Sequence, residues 1–220
     1  MPAGRNFDSR ADIIQSCLKM NAMGINQGVS GNVSVRHGDD SMVITPTGIP
    51  YETLEPDDLV EMRFDGAFAG PLQPSSEWRI HRAIYSMRSD VDAVVHAHPL
   101  FATALAIQKL TIPAIHYMVA VGGGATIPCA DYATFGTEQL AENVVSALEG
   151  HTVCLMEHHG LVATGPSLEV AMHRAAETEN LARQYVITRL LGEPKILSDS
   201  EMQRVLAKMV DYGLRRKLDE

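Results

Sequence analysis

The sequence predicts an α/β fold with a mostly antiparallel or mixed sheet between helices, and three observations carry that reading. Apolar runs of strand length interleave with runs of helical period along the whole chain. Two short β-like runs, "VSVR" and "MVIT", flank "HGDDS", a hairpin turn that implies antiparallel neighbours. The chain has 220 residues, 45% of them apolar, with no repeat, low-complexity run or Pro/Ser-rich linker. Residues 1–220 therefore read as one domain with a substantial core.

The elements follow in order. "DSRADIIQSCLKMNAMG" opens on cap residues, places Ile13, Cys17, Leu18 and Met20 near one face, and stops at Gly24. It is a helix. After the hairpin, "LVEMRF" is a further strand, set off by "PTG" and "LEPDD". "SSEWRIHRAIYSMR" begins with two serine cap candidates and repeats Trp78, Ile80, Ala83, Ile84 and Met87 at helical spacing. "DAVVHAH" is a strand, and "PLFATALAIQ" a helix with Pro99 in its first turn. "IPAIHY" and "TVCLMEH" are apolar enough for buried strands, with the helix "TEQLAENVVSALE" between them. Residues 167–191 form a long helix. The "SDSE" capping box, Ser198 to Glu201, starts a last helix that runs to about Tyr212.

Composition excludes several function classes. A formal charge of −9 and a pI near 5.4 oppose a nucleic-acid groove, which needs a basic stripe. No apolar stretch approaches the roughly 20 residues of a membrane span. "MPAGRNFDSR" lacks the apolar core of a signal peptide. Cys17, Cys129 and Cys154 are odd in number and scattered, which fits reduced thiols in a cytoplasmic protein.

Two histidine clusters stand out. In "VVHAHP", His96 and His98 lie at i and i+2 on a strand and project to one side, with Cα atoms roughly 6.6 Å apart. In "EHHGL", adjacent strand positions face opposite ways, so at most one of His158 and His159 joins them. Three imidazoles suit Zn²⁺ with open positions for substrate, and buried histidines bonded to backbone suit the same pattern. Glu77, at the start of a helix, reads either as an acid favoured by the helix dipole or as a general base beside the metal. His81 and His173 have no partner pattern and read as structural or solvated.

Three short stretches could hold an anion: "SGN" (Ser30, Gly31, Asn32), "TPTG" (Thr45 to Gly48) and "SS" (Ser75, Ser76). Each alone is also an ordinary turn or cap. No Walker lysine and no G-x-G-x-x-G are present, which leaves nucleotide binding without support.

"GINQGVSGNVSVR", "ITPTGIPYE", "PSSEWRIH", "VVHAHP", "IPAIHYMVA", "IPCADYATFGT", "EHHGLVA" and "DYGLR", in this order, resemble the class II aldolase/adducin family. The resemblance runs from about residue 8 to residue 216. It implies a nine-stranded, mostly antiparallel sheet flanked by helices, and a cyclic homotetramer with sites between subunits. By motif it implies zinc ligands His96, His98 and His159, with Co²⁺, Mn²⁺ or Fe²⁺ as alternative metals, and Glu77 as acid/base near or on the metal. It places a substrate phosphate on Asn32, Thr47, Gly48, Ser75 and Ser76, with Gly31 shaping the loop. Tyr117 and Tyr212 would reach a neighbouring subunit's site. His116 and His158 lie beside functional positions without belonging to them.

The implied activity is cleavage of a ketose 1-phosphate, of the L-fuculose 1-phosphate type, to dihydroxyacetone phosphate and a short aldehyde such as lactaldehyde. Aldolases of 5-deoxyribulose or methylthioribulose 1-phosphate would keep the same residues. Sugar-phosphate 4-epimerases of the family carry Asp where this chain has Glu77, and its dehydratases lack the "IPAIHYM" and "DYGLR" pattern. An adducin-like interaction domain would lack the histidines, and a zinc hydrolase would use them to make hydroxide.

Overall fold

A computed structural model of the protein describes residues 9–209. Helix α1 (Ser9–Ala22) buries Ile13, Cys17 and Met20 and ends just before Gly24, whose φ of +70° turns the chain. Strands β1 (Asn32–His37) and β2 (Ser41–Ile44) form the expected hairpin, followed by β3 (Val60–Arg63). Helix α2 (Trp78–Met87) leads into β4 (Ala93–Ala97) and α3 (Leu100–Ile107). A 3-10 turn (Tyr117–Gly122), β5 (Cys129–Ala130), α4 (Glu138–Ala147), β6 (Val153–Met156) and β7 (Gly160–Gly165) come next. The long α5 (Leu168–Leu191), capped by the Ser167 hydroxyl, and α6 (Asp199–Met209), whose Glu201 N–H donates to Ser198 Oγ, complete the described chain.

The strands form one sheet in the order β3-β2-β1-β4-β7-β6-β5. Every neighbouring pair is antiparallel except β5 and β6. Side chains alternate between two cores, as the pleat requires. Val33, Val95, Leu155 and Leu161 pack with α1, α3, α5 and α6 on one face. Val94, Cys154, Met156 and Val162 pack with α2 and α4 on the other. No helix among the described residues is long and apolar enough to cross a membrane.

The sheet corrects two expectations. Among the described residues it has seven strands rather than nine. Pro46 and Pro74 meet as a single isolated bridge, and Met62 with Phe68 and Ile112 with Ile127 likewise. Proline has no N–H to donate, so the first contact cannot extend into a ladder. "IPAIHY" is not a strand either: after the Ile112 bridge comes Pro113, and the chain winds into the 3-10 turn, capped by His116 Nδ1, which accepts from Met118 N. β7, a central strand, carries no period-2 signal because it is buried on both faces. Nor does the two-residue β5 have a signature.

Candidate metal centre and active site

The C-terminal end of β4 is flanked by the start of β1 on one side and the start of β7 on the other. Asn32 pairs with His96 across β1 and β4, and His96 with Val162 across β4 and β7. Glycines allow both flanking segments to approach. A Cβ on Gly31 would stand 2.7 Å from the His96 carbonyl oxygen, and one on Gly160 would stand 2.4 Å from that of Ala97 and 2.9 Å from His98 Cδ2. Any side chain there would push the strand ends apart.

His158 and His159 lie in the turn joining β6 to β7, not on a strand as expected. The turn closes with His159 N donating to Met156 O at 3.0 Å, and His158 takes a left-handed φ of +56°. That conformation sends His158 to the surface, where its ring meets the edge of Tyr132, and leaves His159 facing β4. His159 is thus the member of the pair that joins His96 and His98.

The three rings stand edge to face, with centroids 4.7–4.9 Å apart. Glu77, at the N-cap of α2, lies over them. Its Oε2 is 3.0 Å from His96 Nε2, and its Oε1 is 3.1 Å from His159 Nε2. One ligand atom from each of Glu77, His96, His98 and His159 falls within 4.8 Å of the others, an arrangement that could hold a metal ion. His96 Nδ1 donates to the Leu161 carbonyl at 2.8 Å, which leaves Nε2 with its lone pair free for a cation.

The donor set fits a metal. His96 Nε2 and His98 Nε2 face each other at 2.8 Å, so two lone pairs would repel unless a proton or cation lies between them. Glu77 Oε1 is buried with no aligned hydrogen bond. One divalent cation held by these residues would relieve both defects, and three neutral imidazoles with a carboxylate suit zinc and its neighbours.

The electrostatics are strongly coupled. Burial alone would raise the Glu77 carboxyl, but His96 and His159 hold it far below the usual carboxylate range. Burial alone would lower His96, and the Glu77 carboxylate more than reverses that. His98 is pushed down to about 3, by burial first and by its two histidine neighbours second. The three cysteines are unpaired, and burial raises each thiol out of the reactive range.

The three hydroxyl-rich stretches lie together. Thr47 N donates to Gln73 O, and Ser75 N to Thr45 O, which ties "TPTG" to the segment before α2. Val33 N donates to Thr45 Oγ1, which ties "TPTG" to the start of β1. Asn32 and Ser75 are buried, whereas Thr47, Gly48 and Ser76 are exposed. The two serines do not cap α2 as expected. The helix begins after Glu77, and Ser75 Oγ accepts from Glu77 N instead.

Tyr117 is 47% exposed, stacked on His116, and outside the histidine cluster. Tyr212 lies outside the described residues. His173 is on the exposed side of α5. His81 is fully buried with both ring nitrogens bonded, to Asn32 and to Ser34. The sequence reading missed that link to the site. Its signal was the polar series Glu77, His81, Tyr85 at helical i, i+4, i+8 spacing, facing the strand series Asn32, Ser34, Arg36.

Comparison with known proteins extends the geometry. Residues 11–186 match the family described as Class II Aldolase and Adducin N-terminal domain. The chain is 50% identical over 204 residues to the L-fuculose phosphate aldolase of Escherichia coli (strain K12), covering 92% of this chain and 94% of that protein. It is 45% identical over 213 residues to the 5-methylthioribulose-1-phosphate/5-deoxyribulose-1-phosphate aldolase of Rhodospirillum rubrum, covering 97% and 96%. A solved structure of an L-fuculose 1-phosphate aldolase superposes with a TM-score of 0.90 at 36% identity, over 93% of this chain and 97% of that one. With its fold, its histidine–carboxylate cluster and these relatives together, the chain belongs to the class II aldolase and adducin family and is one of its enzymes, a lyase.

Proposed function

We propose that the protein is a zinc-dependent aldolase that reversibly cleaves a ketose 1-phosphate of the L-fuculose 1-phosphate type. The products are dihydroxyacetone phosphate and a short aldehyde such as lactaldehyde. The observation that carries this reading is the convergence of His96, His98, His159 and Glu77 beside three hydroxyl-rich stretches. The 50% identity to a protein named L-fuculose phosphate aldolase supports the choice of sugar.

When bound, a dication at three neutral imidazoles retains its full charge and acts as a Lewis acid toward the substrate's oxygens. The chain's own residues do the rest. His96, His98 and His159 hold the cation. Glu77 carries the proton that C3 of dihydroxyacetone phosphate loses in synthesis and regains after cleavage. Asn32, Thr47, Gly48, Ser75 and Ser76 bind the phosphate, and Gly31 keeps their loop close to β4. Tyr117, reaching in from a neighbouring subunit, is the candidate group to take the C4 hydroxyl proton as the C3–C4 bond breaks, and Tyr212 would reach the same site. The functional unit is a cytoplasmic homotetramer of one-domain chains. The exposed Leu100, Leu190 and Leu191 are the kind of surface that subunit contacts cover. The chain binds neither nucleic acid nor membrane.

A second reading keeps every residue and changes only the aldehyde half, to a 5-deoxyribulose or methylthioribulose 1-phosphate. The 45% identity to the Rhodospirillum rubrum protein favours it. An assay coupled to dihydroxyacetone phosphate release, with zinc and then with a chelator, decides between them. It compares fuculose, 5-deoxyribulose, methylthioribulose and ribulose 1-phosphates. We expect fuculose 1-phosphate to be cleaved fastest and the chelator to abolish cleavage. Failure of all four sugars with zinc present would overturn the aldolase reading.

A further inference from the structure

Behind Glu77, β1 and α2 meet along a continuous line of polar side chains. A helix advances about 6.0 Å over four residues and a strand about 6.6–6.8 Å over two. Residues 77, 81 and 85 of the helix therefore keep step with residues 32, 34 and 36 of the strand. Tyr85 Oη is 2.8 Å from Ser34 Oγ, and Ser34 Oγ is 2.6 Å from His81 Nδ1. His81 Nε2 is 2.5 Å from Asn32 Oδ1, and Asn32 Nδ2 is 3.1 Å from Glu77 Oε2. Arg36 closes the far end, donating to the Tyr85 carbonyl with its guanidinium 4.9 Å from the Tyr85 ring centroid.

The direction of every bond can be deduced. An ionised carboxylate only accepts, so Asn32 turns its NH₂ toward Glu77. Its Oδ1, also an acceptor only, then faces His81, and His81 Nε2 must carry a proton. Burial keeps His81 neutral, with a pKa pushed down to about 3. Its Nδ1 is therefore bare and accepts from the Ser34 hydroxyl, which in turn accepts from Tyr85. Tyr85, Ser34, His81 and Asn32 form four donors in series, all pointing at Glu77.

We infer that His81 is a positioning residue for Glu77. Its Nε2–H fixes the Asn32 amide with Nδ2 toward the carboxylate, and that hydrogen bond holds Glu77 over His96, His98 and His159. Without the donor at residue 81, the Asn32 amide is free to turn over. Its oxygen would then meet the Glu77 carboxylate, two acceptors in contact, and the carboxylate would swing away. A histidine that only filled space would need neither this tautomer nor a bond to a residue that itself touches Glu77.

The test compares His81→Leu, which has no donor, with His81→Gln, whose amide offers an N–H to Asn32 and a carbonyl to Ser34. Zinc affinity is measured by competition with a chromophoric chelator, and kcat and KM by dihydroxyacetone phosphate release. The expected result for His81→Leu is roughly 10–100-fold weaker zinc binding together with a lower kcat, the range for residues that orient metal ligands. KM for the sugar phosphate should rise as well, because Asn32 also belongs to the proposed phosphate site, and His81→Gln should recover most of both losses. Folded His81→Leu protein with wild-type affinity and kcat would overturn the inference, as would His81→Gln no better than His81→Leu. If His81→Leu does not fold, ring ¹⁵N spectra of the wild-type protein decide. A proton on Nε2 of His81 supports the inference, and an Nδ1–H tautomer with Nε2 bare refutes it. Only the kinetic arm rests on the aldolase reading. If the wild-type protein cleaves none of the sugars, that reading fails and zinc affinity still decides this one.

Discussion

His96 Nδ1 donates to the carbonyl of Leu161 at 2.8 Å, so the first histidine of the cluster is oriented by the strand that follows the third. The bond spans the junction of β4 and β7 and fixes which nitrogen of His96 faces the cluster. The site is therefore a property of strand pairing, because one segment carries His96 and His98 while His159 comes from the turn before β7 and Glu77 from the start of α2.

Removing one imidazole should remove the metal. His159→Ala leaves His96 on β4 and His98 just beyond its end but takes away the side chain supplied by the turn. Zinc affinity should fall by more than the roughly 10–100-fold of a residue that only orients a ligand. Activity should fall by about 10³ or more, since a Lewis acid contributes several kcal/mol. Metal content after gel filtration, read by atomic absorption, checks the first statement. A variant that keeps one equivalent of zinc contradicts it.

Gly160→Ala should disturb the site through the backbone. The new Cβ would lie 2.4 Å from the Ala97 carbonyl oxygen and 2.9 Å from His98 Cδ2, and neither is the free end of a flexible chain. The strands must separate, at a cost of about 1–3 kcal/mol, typical of overpacking. Both the urea midpoint and zinc affinity should drop together. A drop in the midpoint with unchanged affinity would show that the strain relaxes away from His98.

Glu77→Gln should separate metal binding from proton transfer. The amide keeps the shape of the carboxylate but cannot take a proton. Exchange of the C3 proton of dihydroxyacetone phosphate with deuterium oxide should slow by about 10²–10⁴, while zinc remains bound. Proton NMR of the exchanging signal measures it directly. Undiminished exchange would remove Glu77 from this role.

Stability should fall in mild acid through His81. Its folded pKa, pushed by burial to about 3, lies below the ordinary value of 6.5. Between those values the unfolded chain binds a proton that the native chain refuses, so stability declines as pH drops from 6.5 toward 3. By pH 5 the loss from this group is about 2 kcal/mol. Urea unfolding of metal-free protein at pH 7 and pH 5 should show a smaller decline in His81→Gln by that amount. Equal declines would mean that His81 is not held neutral.

Much of the fold was legible because it is written in local periodicity. The helices around Ile13 and Cys17, after Ser167 and after Ser198, and the hairpin around Gly38 appear where cap residues and spacing put them. β7 was not legible: a strand buried on both faces has no alternation to read. The strand expected at "IPAIHY" fails because Pro113 interrupts pairing that Ile112 begins.

The sequence by itself determined the ingredients of the site. "VVHAHP" puts two imidazoles on one side of a strand because the side-chain period is two. Motif order identified the family, and with it His159 and Glu77. Only the tertiary structure decided how they meet. The left-handed φ of His158 selects His159, glycines at 31 and 160 let the neighbouring strands close in, and α2 brings Glu77 over the rings. The line from Tyr85 to Glu77 depends on a helix and a strand more than 40 positions apart keeping the same step. Hydrogen-bond direction is set by partners, and partners distant in sequence exist only once the chain has folded.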